Sequence, residues 1–274
     1  MRPERDNIAA PPLPGRRKWH NVDKDPVLAE ATARGPVLFH FFDFAQLNSV
    51  RALPYAIAWD ERYRDSGLTT FGVHSPRFSF TKRSELLAPA LERLGVRHPV
   101  VDDSDYALWH DYGCEGWPSL FLWAQGGSLA WFHFGEGEYA STELAIAAEL
   151  ARIDSTFQAL EPLAPLRATD AADAVVVPPS AEILPGGSVT EPWRFEGQPI
   201  EAEYGGGGAY ATVEADEPGE LRVSIDGQSA RAIVVPGAGL VELAAHPAHE
   251  HHTLLLEADP QLAIYSVSFS AGVP

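Results

Sequence analysis

The sequence predicts an α/β domain with a mixed sheet and flanking helices, followed by an all-β antiparallel sandwich. Three observations carry this. Up to about residue 153, apolar strand-like runs alternate with helical periodicity, the pattern of a partly parallel sheet with crossover helices. A Pro- and Ala-rich stretch then intervenes, "LEPLAPLRATDAADAVVVPPSAEILPGGS" at 160–188. Beyond it no amphipathic helix is found, and short alternating runs separated by turn residues take over. The expected division is a first domain over 1–162, a linker over 163–188 and a β-sandwich over 189–274.

Each element has a local reason. Residues 1–35 read as an irregular lead-in through "APPLPG", ending in a short helix with Asp25 as N-cap before Pro26. "PVLFHFF" (36–42) is a buried strand, because it is apolar on both alternate faces. "LNSVRALPYAIAWDERYRDSG" (47–67) is a long helix, interrupted at Pro54 and closed by Gly67. "LTTFGVH" (68–74) is a strand, 81–95 a helix, and "HPVVDD" a short strand. "SDYALWHDYG" is a short helix capped by Ser104 or Asp105. "SLFLWAQGGSLAWFHFGEG" is a hairpin about Gly126–Gly127, and 141–153 a helix opening on a Ser-x-Glu pattern. "YGGGGAY" (204–210) has no following helix or lysine, so it reads as a flexible turn and not as a phosphate loop. Six runs then read as strands: "AYATVEA", "GELRVSIDG", "SARAIVVPG", "GLVELAA", "HTLLLEA" and "LAIYSVSFS".

Five phrases occur in a telling order: "FFDFAQLNSVRALPY" (41–55), "GVHSPRF" (72–78), "HPVVDDSDYALW" (98–109), "YGCEGWPSLFL" (112–122) and "HFGEGEY" (133–139). Together they resemble thioredoxin-like domains of the TlpA/ResA type. More narrowly, they resemble the extracytoplasmic part of DipZ-type proteins and the thioredoxin domain of NHL-repeat-containing proteins. "WRFEG", the short strands after it and the terminal "YSVSFSAG" resemble the carbohydrate-binding-module-like sandwich that follows in the DipZ type. The resemblance implies thiol–disulfide oxidoreductase ancestry. It implies a helix-kinking proline at Pro54, and a cis-proline at Pro118, after Trp117, in a loop lining a groove for extended peptides. It also implies two cysteines where this sequence has Gln46 and Ser49, and a buried acid where it has His40.

Dithiol exchange needs a thiolate at the start of that helix, where the free N–H groups and the helix dipole lower a thiol's pKa. An amide at 46 has no ionisable proton, and a hydroxyl at 49 does not exchange with disulfides. The chain has one cysteine, Cys114, so it can form neither an internal disulfide nor a dithiol cycle. The expected function is therefore a redox-inactive thioredoxin-like module for binding or scaffolding, without catalytic residues. Gln46 and Ser49 mark the former active site, and Phe44, Asn48, Trp117 and Pro118 are candidates for lining its groove. The alternative is an enzyme using single-cysteine chemistry at Cys114, which is otherwise a core filler; Asp111 and Glu115 beside it oppose a reactive thiolate. His40 and His74 read as structural, His40 as a hydrogen-bonded core residue.

"HPAHEHH" (246–252) invites a metal reading. Strand alternation would put His249 and His251 on one side and Glu250 and His252 on the other, two ligands at most. The stretch therefore reads as a solvated loop, and neither metal nor cofactor is expected.

The net charge of −18 argues against nucleic acid or an anionic membrane as partner. The charge is uneven: 16 Lys and Arg against 22 Asp and Glu over 1–165, but 4 against 16 over 166–274. No apolar run is long enough for a transmembrane segment. The partner class left is protein, peptide or glycan; six aromatics beyond residue 176, Trp193, Phe195, Tyr204, Tyr210, Tyr265 and Phe269, are what a sugar platform would draw on. The N-terminal residues lack the apolar stretch of a secretion signal, so the sequence as written reads as cytoplasmic, or extracytoplasmic if a leader was trimmed.

Overall fold

The computed structural model describes residues 8–13, 15 and 17–274; residues 1–7, 14 and 16 of the expected lead-in lie outside them. The chain divides into two compact units. One contains the residues up to Phe44, Asn48–Pro76 and Leu87–Ala164; the other contains Ala45–Leu47, Arg77–Leu86 and Pro165–Pro274.

The first unit is built on a six-stranded mixed sheet. Its strands are β1 (Trp19–His20), β2 (Val37–Phe42), β3 (Thr69–His74), β4 (Val100–Asp102), β5 (Ser119–Trp123) and β6 (Leu129–Phe134), in spatial order β1-β4-β3-β2-β5-β6. β2, β3 and β4 run parallel, and β5, β6 and β1 are antiparallel to their neighbours. The helices are α1 (Leu28–Arg34), α2 (Leu47–Tyr63), α3 (Ser84–Arg93), α4 (Ala107–Asp111) and α5 (Tyr139–Ile153). Every residue of β2 is buried, as a central strand covered on both faces requires. Its odd-numbered residues, Phe39 and Phe41, pack with Phe71, Trp109, Tyr112 and Phe121. Leu38 faces the other way, with Tyr55, Trp59 and Tyr63 of α2 and Ile146 and Leu150 of α5.

Several local expectations need correction. α1 starts at Leu28 behind Val27, which makes no side-chain cap bond, so Asp25 is not its cap. α2 is one continuous helix through Pro54; the missing N–H removes one rung, while buried Leu53, Tyr55 and Ala56 hold the helix to the sheet. α4 does take one bond from Ala107 N–H to Asp105 at 3.3 Å, but its two buried N–H groups, from Leu108 and Trp109, go to Asp103 at 2.9 and 3.0 Å. α5 begins two residues early, after Glu138 at φ 52°, and Glu143 is a buried hub instead of a capping acid. Its carboxylate accepts bonds from Trp59 Nε1, Tyr63 Oη, Arg62 Nη1 and Leu163 N–H at 2.6–3.2 Å. The lead-in is not free of pairing: Ala10 N–H donates to Gly127 and Leu129 N–H to Ile8.

The second unit carries a five-stranded antiparallel sheet of β7 (Ile200–Glu214), β8 (Gly219–Ile225), β9 (Arg231–Val235), β10 (Gly239–Ala258) and β11 (Ala263–Ser270), in spatial order β11-β7-β10-β8-β9. Five strands replace six expected runs, because "GLVELAA" and "HTLLLEA" are the two halves of the 20-residue β10. The first half of β7 pairs with the second half of β10, which pairs with β8; the second half of β7 pairs with the first half of β10 and with β11. Inward residues of both halves, among them Tyr204, Val213, Leu243, Leu256 and Val267, share one core, which gives the unit its sandwich character.

The glycine run is a further correction. Gly205–Gly208 lie inside β7 and form no turn. A Cβ at Gly206 would stand 2.8 Å from the Ser270 carbonyl oxygen, at Gly207 2.5 Å from that of Ala271, and at Gly208 2.7 Å from that of Ala244. Glycine is required there by the close approach of neighbouring backbone.

Candidate functional site

The turn between β2 and α2 is where thiol chemistry would sit. Asp43, Phe44, Ala45, Leu47 and Ser49 are buried, and Gln46 and Asn48 are half-buried. Ser49 is fully enclosed, and its Oγ accepts the Asp43 N–H at 3.2 Å, so the hydroxyl closes the turn on itself. Phe44 stacks on the His74 ring at 5.1 Å. Ala45 belongs with the second unit, and its carbonyl accepts a 2.8 Å bond from Thr212 Oγ1 of β7, which in turn accepts from Ser266 Oγ at 3.0 Å. Of the groove candidates, Phe44 and Pro118 are buried and only Asn48 and Trp117 keep surface. The Trp117–Pro118 peptide is cis. Trp117 stacks on Trp109 at 4.2 Å and donates its indole N–H to the Ser75 carbonyl at 2.7 Å.

Beneath this lies a buried acid that sequence reasoning missed. Asp103 receives Ser75 Oγ at 2.8 Å besides the two α4 N–H groups, and Arg17 stands 3.7 Å away. Burial pushes its carboxyl up from the usual range, while these donors and Arg17 pull it down. In sequence its only signal is a place just ahead of α4.

Cys114 packs against the aromatic core of the sheet. Burial, chiefly, pushes its thiol well up, with the Asp103 charge adding to this and a Ser119 hydrogen bond opposing it. Its suppression therefore comes from burial, not from Asp111 and Glu115. His40 is a further correction: it is fully buried, but neither ring nitrogen has a hydrogen-bond partner among the described residues. Burial, with His98 nearby, pulls its pKa down to about 3 and keeps it neutral. His74 is likewise buried and held low by burial. Of the two exchange positions, one holds the Gln46 amide and the other the enclosed Ser49 hydroxyl, and neither is a thiol.

The second concentration of chemistry is the histidine stretch, which is strand, not loop. β10 leaves register with β7 between Ala245↔Gly208 and Glu250↔Gly206. The bulge brings His246 to Glu250 and His252, with one donor atom from each lying within 4.8 Å of the others. Three donors thus converge where two were expected; strand alternation alone does not show how a bulge folds back. Of the six late aromatics, Tyr204, Tyr265 and Phe269 are buried and Trp193, Phe195 and Tyr210 half-buried.

No protein-family model matches the chain. DipZ proteins of Mycobacterium bovis and Mycobacterium tuberculosis are 31% identical over 207 residues, 73% of this chain and 27% of their own length. The chain thus spans about a quarter of the DipZ proteins it matches. NHL repeat-containing protein 2 of Bos taurus is 29% identical over 132 residues, 48% of this chain and 18% of that protein. Among solved structures, a thioredoxin-like superfamily protein aligns at TM-score 0.48 and 22% identity, covering 56% of this chain and 99% of its own. A thiol-disulfide isomerase from Corynebacterium glutamicum aligns at TM-score 0.45 and 23% identity, covering 53% and 98%. No helix among the described residues is long and apolar enough to cross a membrane. The chain carries a thioredoxin-like domain resembling that of the DipZ proteins, with a single cysteine and with Gln46 and Ser49 in the turn between β2 and α2, followed by an all-β antiparallel unit.

Proposed function

We propose that this chain is a redox-inactive thioredoxin-like protein that works as a binding or scaffolding module, with protein or peptide as its partner class. The observation that carries this reading is the turn itself. Its two exchange positions hold an amide and an enclosed hydroxyl, and the Ala45 carbonyl beside them is bonded to Thr212. A backbone group engaged inside the protein is not free to pair with an extended peptide, so the turn contributes to structure. The half-buried Gln46, Asn48 and Trp117 keep surface at this end of the domain. The full or partial burial of the six late aromatics favours protein over glycan. The competing reading, an enzyme using Cys114, is opposed by the burial that keeps the thiol protonated.

An insulin-reduction assay tests the proposal. In dithiothreitol the full chain should leave the rate at that of the reductant alone. Catalysed precipitation that scales with protein and disappears in Cys114→Ser would overturn it in favour of the enzyme.

A further inference from the structure

The bulge in β10 does something unusual with distance. Six residues along an extended strand span about 20 Å. His246 and His252 are six apart, yet their rings stack with centroids 4.0 Å apart. The register shift accounts for this: residues 246–249 of β10 stand against the single residue Gly207 of β7, and the extra chain folds back on its own strand. Glu250 completes the group, its Oε2 lying 3.2 Å from His252 Nε2. The edge of a tetrahedron of ligands with bonds of 2.0–2.1 Å is about 3.3 Å, so this pair already has the separation of two donors on one zinc-like ion.

The supporting contacts orient the donors. Asp226 Oδ2 holds His252 Nδ1 at 2.7 Å, while its Oδ1 accepts the Thr253 N–H at 2.8 Å. That is a carboxylate–histidine pairing of the sort that fixes a metal-binding imidazole and leaves Nε2 as the ligand atom. Tyr204 Oη lies 2.7 Å from His246 Nε2, which leaves Nδ1 of that ring as its ligand atom. A cleft of about 390 Å³, lined by Tyr204, Asp226, His252 and Thr253 among others, opens beside the cluster. Two imidazoles and one carboxylate suit a borderline transition-metal ion, whereas calcium and magnesium prefer oxygen donors.

We infer that His246, Glu250 and His252 bind one divalent transition-metal ion of the zinc type, with Asp226 and Tyr204 as positioning residues and the remaining coordination position facing the cleft. No covalent or redox step is involved. The site ties the bulge of β10 to the β8–β9 turn that carries Asp226, and its open position is suited to a water or a carboxylate of a bound molecule.

The test is a zinc titration of chelator-treated full chain, by calorimetry and by competition with a chromophoric chelator. The expected result is one zinc per chain, not displaced by a large excess of magnesium, and a thermal midpoint that rises with zinc. His246→Ala, His252→Ala and Glu250→Gln should each weaken binding at least tenfold, and Asp226→Asn about tenfold. His110→Ala, an exposed histidine on α4 of the first unit, should leave the affinity unchanged. Cobalt should give a visible ligand-field band in the wild type that His246→Ala removes. Circular dichroism checks the fold, and the near-isosteric Glu250→Gln and Asp226→Asn keep the test decisive if a histidine variant unfolds. Absence of saturable zinc binding, or binding of unchanged affinity in His246→Ala/His252→Ala, would overturn the assignment.

Discussion

The turn between β2 and α2 and the bulge of β10 are both irregular places rich in polar side chains, and they end in opposite states. At the turn Ser49 bonds back to its own backbone, and nearby in the same unit Asp103 collects four donors or charges and Glu143 collects four more. At the bulge His246, Glu250 and His252 converge beside a cleft, with one donor atom from each within 4.8 Å of the others. Polar groups whose partners are all internal and fixed hold structure. Donors that converge on open space have capacity left for a ligand. A motif's position in a familiar fold does not separate these cases; the destination of each hydrogen bond does.

The comparison breaks most visibly where the closed network is cut. Glu143→Ala strands Arg62, Tyr63 and Trp59 without their buried acceptor and should cost about 3–5 kcal/mol in urea unfolding. A loss under about 1 kcal/mol would mean that the network is not structural. Of similar size is an acid effect. The folded pKa of His40 is about 3 against 6.5 when unfolded, so between those values the unfolded chain binds the extra proton. Its share of stability is therefore whole above pH 6.5 and is lost as pH falls toward 3, about 5 kcal/mol in the limit. His40→Phe, at a site already stacked on Phe42, should flatten that part of the stability–pH curve. An unchanged slope would place the acid sensitivity elsewhere.

Smaller effects sharpen the contrast. Thr212→Val removes the hydroxyl that donates to the Ala45 carbonyl and should cost about 1–3 kcal/mol, read from the shift in urea midpoint. His252→Ala, at the open cluster, should change stability without added metal by no more than about 1 kcal/mol, because its bonds are half-exposed. If the bulge variant proves as damaging as the Glu143 variant, the bulge is a closed structural network too.

Much of the first unit was legible in sequence, and for identifiable reasons. β2 is an unbroken apolar run, Gly126–Gly127 marks the β5–β6 hairpin, and Gly67, at φ 107°, closes the α2 segment in the left-handed conformation that glycine favours. Other features were hidden because their causes are remote in the chain. β1 is two residues long and exists through pairing with Val100 and Val101. Asp103 caps α4 from outside the positions where capping residues normally sit. Gly205–Gly208 carry the local signature of a turn, yet carbonyls from Ala244, Ser270 and Ala271 are what demand glycine at 206–208. For the candidate site, the loss of both thiols was plain in the letters at 46 and 49. The histidine cluster was not: His246-Pro247 reads as a loop, and only the register shift against Gly207 folds His246 onto His252.

Cys114 is the one residue through which the thioredoxin-like domain can still perform thiol chemistry, so its reactivity tests the central claim most directly. Native chain should be alkylated by iodoacetamide at pH 8 at least tenfold more slowly than the same chain in denaturant, since burial raises the thiol's pKa and leaves little thiolate to react. Mass spectrometry of the time course gives both rates. Native labelling as fast as in the unfolded chain would contradict the account and make Cys114 an accessible, competent thiol.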